Sequence, residues 1–249
     1  MSGAELAEKR LEELALRAAH RGEACFTRFL EPAAEADARR AAARAGVAAA
    51  FWGGYPDAER VICAFCPEGE EPSPEEYPVR CVLLRWNAKF ASAGHRDVLG
   101  AVMGLGLERD GIGDVAMCRE GACVFAHRDV AGYICDSLES AGRAALKREI
   151  VDEAPELLPP EGEEMRVTVN ALRLDAVLAA GLRISRAEAQ RLVAAGLVKR
   201  NHLPEMRGDC RISEGDLLSA RGFGRLQVRL CEGETKKGRL GVRLFRYGK

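Results

Sequence analysis

The sequence predicts an α+β protein in three pieces. These are an N-terminal α/β segment over 1–78, a β-α-β-β-α-β middle domain over 79–150 and, beyond an acidic linker over 151–165, a basic α+β domain over 166–249. Three observations predict this. Apolar residues change period along the chain, from helical spacing to strand-like runs and back. Glu149 to Glu164 carries seven acidic residues, three prolines and no basic residue, which marks a boundary. The charge is lopsided: residues 166–249 hold 18 Lys and Arg against 8 Asp and Glu, whereas residues 1–165 hold 19 against 30. The whole-chain net charge of −1 hides this, and a basic end on an acidic chain is a sign of a polyanionic partner such as nucleic acid.

In the first piece, Ser2-Gly3-Ala4-Glu5 has the form of a capping box, and Ala7, Leu11, Leu14, Ala15 and Ala18 follow at helical spacing. An Ala-rich helix is expected over Ala33 to Ala45. Val47 to Phe51 reads as a strand, Gly53-Gly54-Tyr55-Pro56 breaks it, and Arg60 to Cys66 reads as its neighbour. Glu68 to Pro78 is a Pro- and Glu-rich connector.

In the middle piece, Cys81 to Trp86 is an apolar strand and Val98 to Leu105 a helix. Asp114 to Cys118 and Ala122 to Ala126 form a hairpin, Val130 to Leu138 is a second helix, and Ala145 to Ile150 closes the pattern. This order is that of a ferredoxin-like or RRM-like split βαβ fold. Such a fold binds RNA by stacking bases on exposed sheet aromatics. The first and third strands offer only Trp86 and Phe125, so a protein-docking or scaffold role stands beside RNA binding.

In the basic piece, Leu174, Val177 and Leu178 make one apolar helical face, with Gly181 where that helix is expected to end. Ser185-Arg186-Ala187-Glu188 is a second capping box, and Ala189, Leu192 and Val193 repeat the apolar face. Arg183, Ser185 and Arg186 thus stand at a tight turn and a helix start, where backbone N–H groups and guanidiniums both suit phosphate; Gln190 lies one turn on. Strands are expected at Val198 to Asn201 and Leu217 to Ala220. Arg225 to Leu230 alternates, with Leu226, Val228 and Leu230 inward and Arg225, Gln227 and Arg229 outward, and Arg239 to Arg246 puts Leu240, Val242 and Leu244 inward. A solvated basic face is the plain reading of any one charge run. Recurrence over two helices, a turn and several strands favours RNA.

Arg173-Leu174-Asp175, Leu178, Ser185-Arg186, Ala189, Leu192-Val193, Gly196, Val198, Asn201 and Gly215-Asp216 together resemble the S4 RNA-binding domain. His202-Leu203-Pro204 departs from it, since the family often has glycine after the asparagine, and a longer or differently shaped turn is expected there. The run Gly53 to Arg60, Ala88-Lys89-Phe90, His95 to Met103, Gly113-Asp114 and Ser219 to Arg225 extends the resemblance to the YlmH family of bacterial S4 proteins. That resemblance implies a factor in ribosome-associated quality control. It would sit on a stalled large ribosomal subunit with its tRNA, contact ribosomal RNA, and help a nascent-chain tailing factor add C-terminal alanines. The expected RNA-binding residues are Arg173, Arg183, Ser185, Arg186, Gln190, Arg191, Lys199, Asn201, Arg221 and Arg225, with Lys89, His95 and Arg96 as further ribosome or RNA contacts. Arg186 and Arg191 are expected to be exposed, so that glutamate at both would weaken binding without unfolding the domain.

No catalytic set emerges. His95-Arg96-Asp97 has the letters of a kinase catalytic loop, but Val102 stands where that loop needs a metal-binding asparagine. Asp97 is expected to cap a helix instead. Cys63, Cys66, Cys118 and Cys123 have loose zinc-like spacing, but lie in apolar strands and read as buried thiols. Gly104 to Gly113 lacks the Gly-Lys-Ser/Thr ending of a phosphate loop. Nine cysteines, an odd number, argue against a disulfide framework. No residues near Met1 form an apolar signal core, and no apolar run approaches a bilayer's thickness. A cytoplasmic, non-catalytic RNA-binding factor without cofactor or metal is therefore expected. The alternatives are an rRNA-modifying enzyme of the pseudouridine synthase type and a general RNA chaperone.

Overall fold

A computed structural model describes residues 3–67, 71–89, 91–234 and 238–248. The capping box at Ser2 and the aromatic of Ala88-Lys89-Phe90 lie outside the described residues. The chain divides into two compact units, 1–159 and 160–249. The segments 1–78 and 79–150 lie together in the first. Val151 still belongs to a strand, and Leu157 bridges back to Cys118, so part of the acidic stretch is packed.

In the first unit, α1 (Gly3–Arg21) leads to β1 (Cys25–Leu30), then α2 (Glu35–Ala45), β2 (Ala48–Trp52) and β3 (Val61–Cys66). The sheet order is β1-β3-β2, and every residue of β3 is buried. Strand β1 was not anticipated. It follows Gly22, whose φ of +68° ends α1 and turns the chain back. Leu11, Ala15 and Ala18 of α1 and Ala38, Ala41 and Ala42 of α2 pack on Cys63 and Phe65, one face of this sheet.

The middle elements are β4 (Val79–Arg85), α3 (His95–Met103), β5 (Ile112–Cys118), β6 (Gly121–His127), α4 (Arg128–Ser137), the short pair β7 (Ser140–Ala141) and β8 (Ala144–Ala145), and β9 (Lys147–Val151). The sheet order β5-β6-β4-β9, antiparallel throughout, is compatible with the RRM-like reading. Helices α3 and α4 cover one face through Val98, Val102, Ala131 and Ile134.

The other face is covered as well. Cys81, Leu83, Cys123 and Phe125 pack against Ile62, Ala64 and Cys66 of the N-terminal sheet. Sheet lies on sheet with a helical layer outside each. Phe125 is 1% exposed and stacks on Tyr55, ring centroids 4.7 Å apart, and Trp86 lies just past β4 and packs against the helical side. Phe125 is withdrawn from solvent and Trp86, half-buried, lies on the helical side, so the sheet face considered for base stacking is covered by the N-terminal sheet.

The Gly53 to Arg60 motif secures that junction. Arg60 is buried, and its guanidinium donates to the backbone carbonyls of Ile112 (2.9 Å) and Arg109 (3.0 Å). Asp114 accepts from the Tyr55 hydroxyl (2.9 Å) and the Glu59 amide (2.6 Å). A Cβ at Gly54 would lie 2.4 Å from the Phe125 ring, which explains the glycine. The motif stitches two sheets together.

The second unit contains β10 (Gly162–Val169), α5 (Leu174–Leu182), α6 (Arg186–Ala194), β11 (Val198–Arg200), β12 (Leu203–Pro204), β13 (Leu217–Ala220), β14 (Gly224–Glu234) and β15 (Leu240–Tyr247). Its sheet runs β10-β15-β14-β13-β11-β12. Leu174, Val177, Leu178, Ala189, Leu192 and Val193 close a core over Leu226, Val228, Val242 and Leu244. Two expectations are corrected. Gly181 does not end α5 but lies buried inside it, where a Cβ would meet Leu226 at 2.5 Å; the left-handed residue that ends the helix is Arg183, φ 58°. Leu230 is not inward: the register of β14 shifts between Val228 and Leu230, and the leucine is 41% exposed.

Candidate nucleic-acid interface

The basic residues around the α5–α6 turn are organised by a carboxylate that sequence reasoning did not count among the site residues. Asp175, in the first turn of α5, has no exposed surface. Its amide donates to the Gly208 carbonyl (2.9 Å), which fixes the residue from behind. Its carboxylate accepts two hydrogen bonds from Arg173 (both 3.2 Å), two from Arg186 (3.2 and 3.5 Å) and one from Gln190 Nε2 (2.9 Å). Burial alone would push this carboxyl up, but the bonds from Gln190, Arg173 and Arg186 outweigh it and hold it below its ordinary range. The two guanidiniums remain 39% and 51% exposed. One buried charge thus takes the Nε–Nη2 edge of both guanidiniums and fixes their planes, and their Nη1 groups are the donors left to meet phosphate.

Ser185 caps α6, its hydroxyl accepting from the Glu188 amide at 3.1 Å, while the Glu188 carboxylate engages Arg191 rather than closing the box. Arg183 stands in the turn, exposed and 3.8 Å from Glu163. Arg173, Arg186 and Gln190 are therefore brought together on one acceptor, with Arg183, Ser185 and Arg191 around the same turn. Arg186 and Arg191 are both exposed, but Arg186→Glu would set a second carboxylate against Asp175. The substitution is not confined to the surface.

A second buried acid repeats the arrangement at the β11–β12 turn. Asp216 accepts from Arg200 (2.7 Å), the Asn201 side-chain amide (2.8 Å) and the Ser213 backbone (2.8 Å). Burial again raises this carboxyl and the Ser213, Arg200 and Asn201 bonds more than compensate. Asn201 in turn accepts from the Leu217 amide at 2.8 Å, so it is a joint between strands as well as a surface residue. Asn201 and His202 both take positive φ, 49° and 68°, between the paired residues Arg200 and Leu203. Of the two expectations, a longer or a differently shaped turn, the longer one is not met: the turn is a tight two-residue hairpin, with histidine in the left-handed position that glycine often fills.

Lys199 and Arg225 lie on the outer face of the sheet, and Arg221 is exposed in the turn before β14. In the first unit, Lys89, His95 and Arg96 are exposed. His95 opens α3 three residues before the helix expected there, and Asp97 accepts from the Gly94 amide at 2.9 Å, capping from inside the first turn. Arg96 and Asp97 border an open cleft completed by Gly100, Gly104, Ser137 to Ser140 and Gly142.

The cysteines are packed, not convergent. Cys63 points into the helical side of β3 and Cys66 into the sheet–sheet side, so the two cannot share an ion. Burial pushes the Cys63 thiol up to about 12, and that of Cys123, hydrogen-bonded to Cys81 and buried, upward too. Among the described residues, no group of three His, Cys, Asp or Glu could hold a metal. No helix among them is long and apolar enough to cross a membrane.

Family models match over residues 5–68 ("YlmH, N-terminal"), 72–153 ("Putative RNA-binding domain in YlmH") and 172–204 ("S4 domain"). A curated relative, "Ribosome-associated protein quality control protein P2" of Bacillus subtilis (strain 168), is 37% identical over 218 residues, 87% of this chain and 85% of the relative. A solved structure, "Cell division protein ylmH from Streptococcus pneumoniae", covers 61% of this chain and 93% of its own, with 22% identity and a TM-score of 0.49. The basic S4 domain gives the chain an RNA-binding role. By that relative's identity and coverage, and by the domain matches along its length, the chain belongs to the YlmH family.

Proposed function

We propose that this chain binds ribosomal RNA of the large subunit together with tRNA, and that it assists a nascent-chain tailing factor in adding C-terminal alanines to stalled chains. Its part is positioning, not chemistry. The observation that carries the reading is the similarity along most of the chain to a relative named for ribosome-associated quality control, in a protein whose basic domain holds outward arginines on a buried acid. Two polyanions repel each other. A compact basic domain that neutralises phosphates on both lowers that repulsion and holds the tRNA near the subunit. The non-catalytic reading is supported by the state of the buried acids: Asp175 and Asp216 are both committed to arginines and are poorly placed to act as nucleophile or base.

The test is a stalled reporter whose C-terminal tails are measured by mass spectrometry, with and without the gene, alongside sedimentation of the protein with ribosomal subunits. Short or absent tails in the deletion strain and co-sedimentation with large subunits are expected. Normal tails, or sedimentation only with small subunits, would defeat the proposal and leave the RNA-binding role in place.

A further inference from the structure

The helices α5 and α6 cover one face of the six-stranded sheet, and the opposite face carries a different surface. Cross-strand registers fix which residues share it. Lys199 of β11 pairs with Ser219 of β13, and Ser219 with Arg225 of β14. The Arg225 guanidinium lies over the Tyr247 ring of β15, 4.8 Å from its centre. In the next row Gln227 pairs with Phe245, and Arg229 lies over that ring at 5.2 Å. Arg243 pairs with Arg166 of β10 beyond them. Two half-buried rings, centres 5.1 Å apart and edge to face, thus sit on a basic sheet face, where Glu164 pairs with Phe245 and Glu232 binds Arg166 and Arg243. The two inward neighbours on β15, Val242 and Leu244, have no exposed surface. A core needs only those, so the outward aromatics call for a separate reason.

Glycine at 162 supports a built surface. It pairs with Tyr247, and a Cβ there would lie 2.6 Å from the Phe245 ring. Tyr247 donates to Gln227 at 3.3 Å, which orients the second ring.

We propose that this face is a second RNA-binding surface, distinct from the α5–α6 turn, and that it takes unpaired nucleotides. Bases stack on Phe245 and Tyr247, and Arg225, Arg229 and Lys199 meet the phosphates between them, while Arg243 is held by Glu232 at 2.9 Å. Aromatic rings set among cations on an open sheet suit single strands, since every base has a stackable face while paired bases hide theirs. A protein partner would have to bury these cations against acids. A phosphate chain supplies the compensating charge along its whole length. The inference rests on the RNA-binding role and adds the class of RNA and the place.

The experiment uses the full chain and two probes, a ten-nucleotide oligouridine and an RNA hairpin closed by a compact loop whose bases pair and stack within the loop. Phe245→Leu with Tyr247→Leu is expected to weaken oligouridine binding about tenfold or more and to leave hairpin binding within about twofold. Tyr247→Phe, which keeps the ring, is expected to bind as wild type, and a melting curve verifies that each variant folds. Ultraviolet cross-linking of oligouridine to the unmodified protein is expected to map to the peptide bearing Phe245 and Tyr247, which needs no variant at all. Unchanged oligouridine binding in the double variant, or cross-links only at the α5–α6 turn, overturns the proposal while hairpin binding preserves the broader role. If the double variant loses ribosomal subunits but not oligouridine, the face meets the subunit through something other than unpaired nucleotides and the proposal fails. Wild-type protein that binds neither probe overturns both readings.

Discussion

Asp175 Oδ2 lies 3.2 Å from Arg186 Nε across the turn that joins α5 to α6, and the carboxylate is wholly buried while the guanidinium is half exposed. The pair links the interior of the domain to its surface. Asp175→Asn therefore makes a prediction of unusual sign. It adds one unit of positive net charge, which by long-range attraction alone would tighten RNA binding. It also removes the charge and turns one of the two acceptor oxygens that aim Arg173 and Arg186 into an amide donor. Weaker hairpin binding is expected, with a stability loss of about 1–3 kcal/mol. Fluorescence anisotropy and a denaturant titration measure the two; tighter binding would show that aim does not matter.

Substitutions of the arginines separate charge from geometry. Arg186→Lys keeps the charge and loses the planar fork. It is expected to lower hairpin affinity with little change in the dependence on salt. Arg191→Gln loses a charge from an exposed residue and is expected to reduce the slope of log affinity against log salt by about 1. Affinities measured from low to moderate salt check both.

The second unit is expected to lose stability in acid. Asp175 and Asp216 have folded values below their ordinary 3.8. The unfolded chain therefore takes up protons before the folded one does, and stability conferred by the two carboxylates is present above that value and falls as pH drops through the lower folded values. Amide exchange followed by mass spectrometry at about pH 5 and about pH 3 should show protection lost in α5, α6 and β13 at the lower pH. Equal protection at both would refute the assignment.

Arg60 is expected to matter for folding rather than binding. Arg60→Met removes one donor from each of two buried carbonyls, Ile112, which keeps its bond from the Arg109 guanidinium, and Arg109, which keeps its bond from the Ile112 amide, at a cost of about 1–3 kcal/mol. The check is a lower denaturant midpoint with hairpin affinity retained. Lost affinity in a folded variant would make the Gly53 to Arg60 motif a contact surface.

The cysteines should release no metal. Elemental analysis of the purified protein is expected to find well under one zinc per chain, and Cys63→Ala with Cys66→Ala to change stability but not metal content. One tightly held equivalent lost in that variant would contradict the packing described.

Periodicity disclosed most of the architecture, because a buried face writes itself into spacing. The apolar faces of α5 and α6 and the run Arg60 to Cys66 were legible for that reason. What stayed hidden depended on partners distant in sequence. Strand β1 is half-buried and short, and only its pairing with β3 makes it a strand. Gly181 looked like a helix end because spacing cannot show that Leu226 and Leu244 press on it. The exposed arginines could be picked out by charge, but Asp175 and Asp216 could not be singled out as the acids that orient them. An aspartate in a first helical turn ordinarily serves the helix, and burial is invisible to composition.

The packing of sheet on sheet in the first unit makes its two halves mutually dependent. Cut at Pro78, each would carry a bare apolar sheet: Ile62, Ala64 and Cys66 on one side, Leu83, Cys123 and Phe125 on the other. Each fragment alone would be a strand-rich, sticky species prone to self-association. The hairpin of β5 and β6 gains its permanent cover from residues that a ribosome has already made, so during synthesis the N-terminal sheet waits, uncovered, for its lid. A synonymous change that slows elongation between Cys66 and Val79 lengthens that wait without altering a single contact in the finished protein.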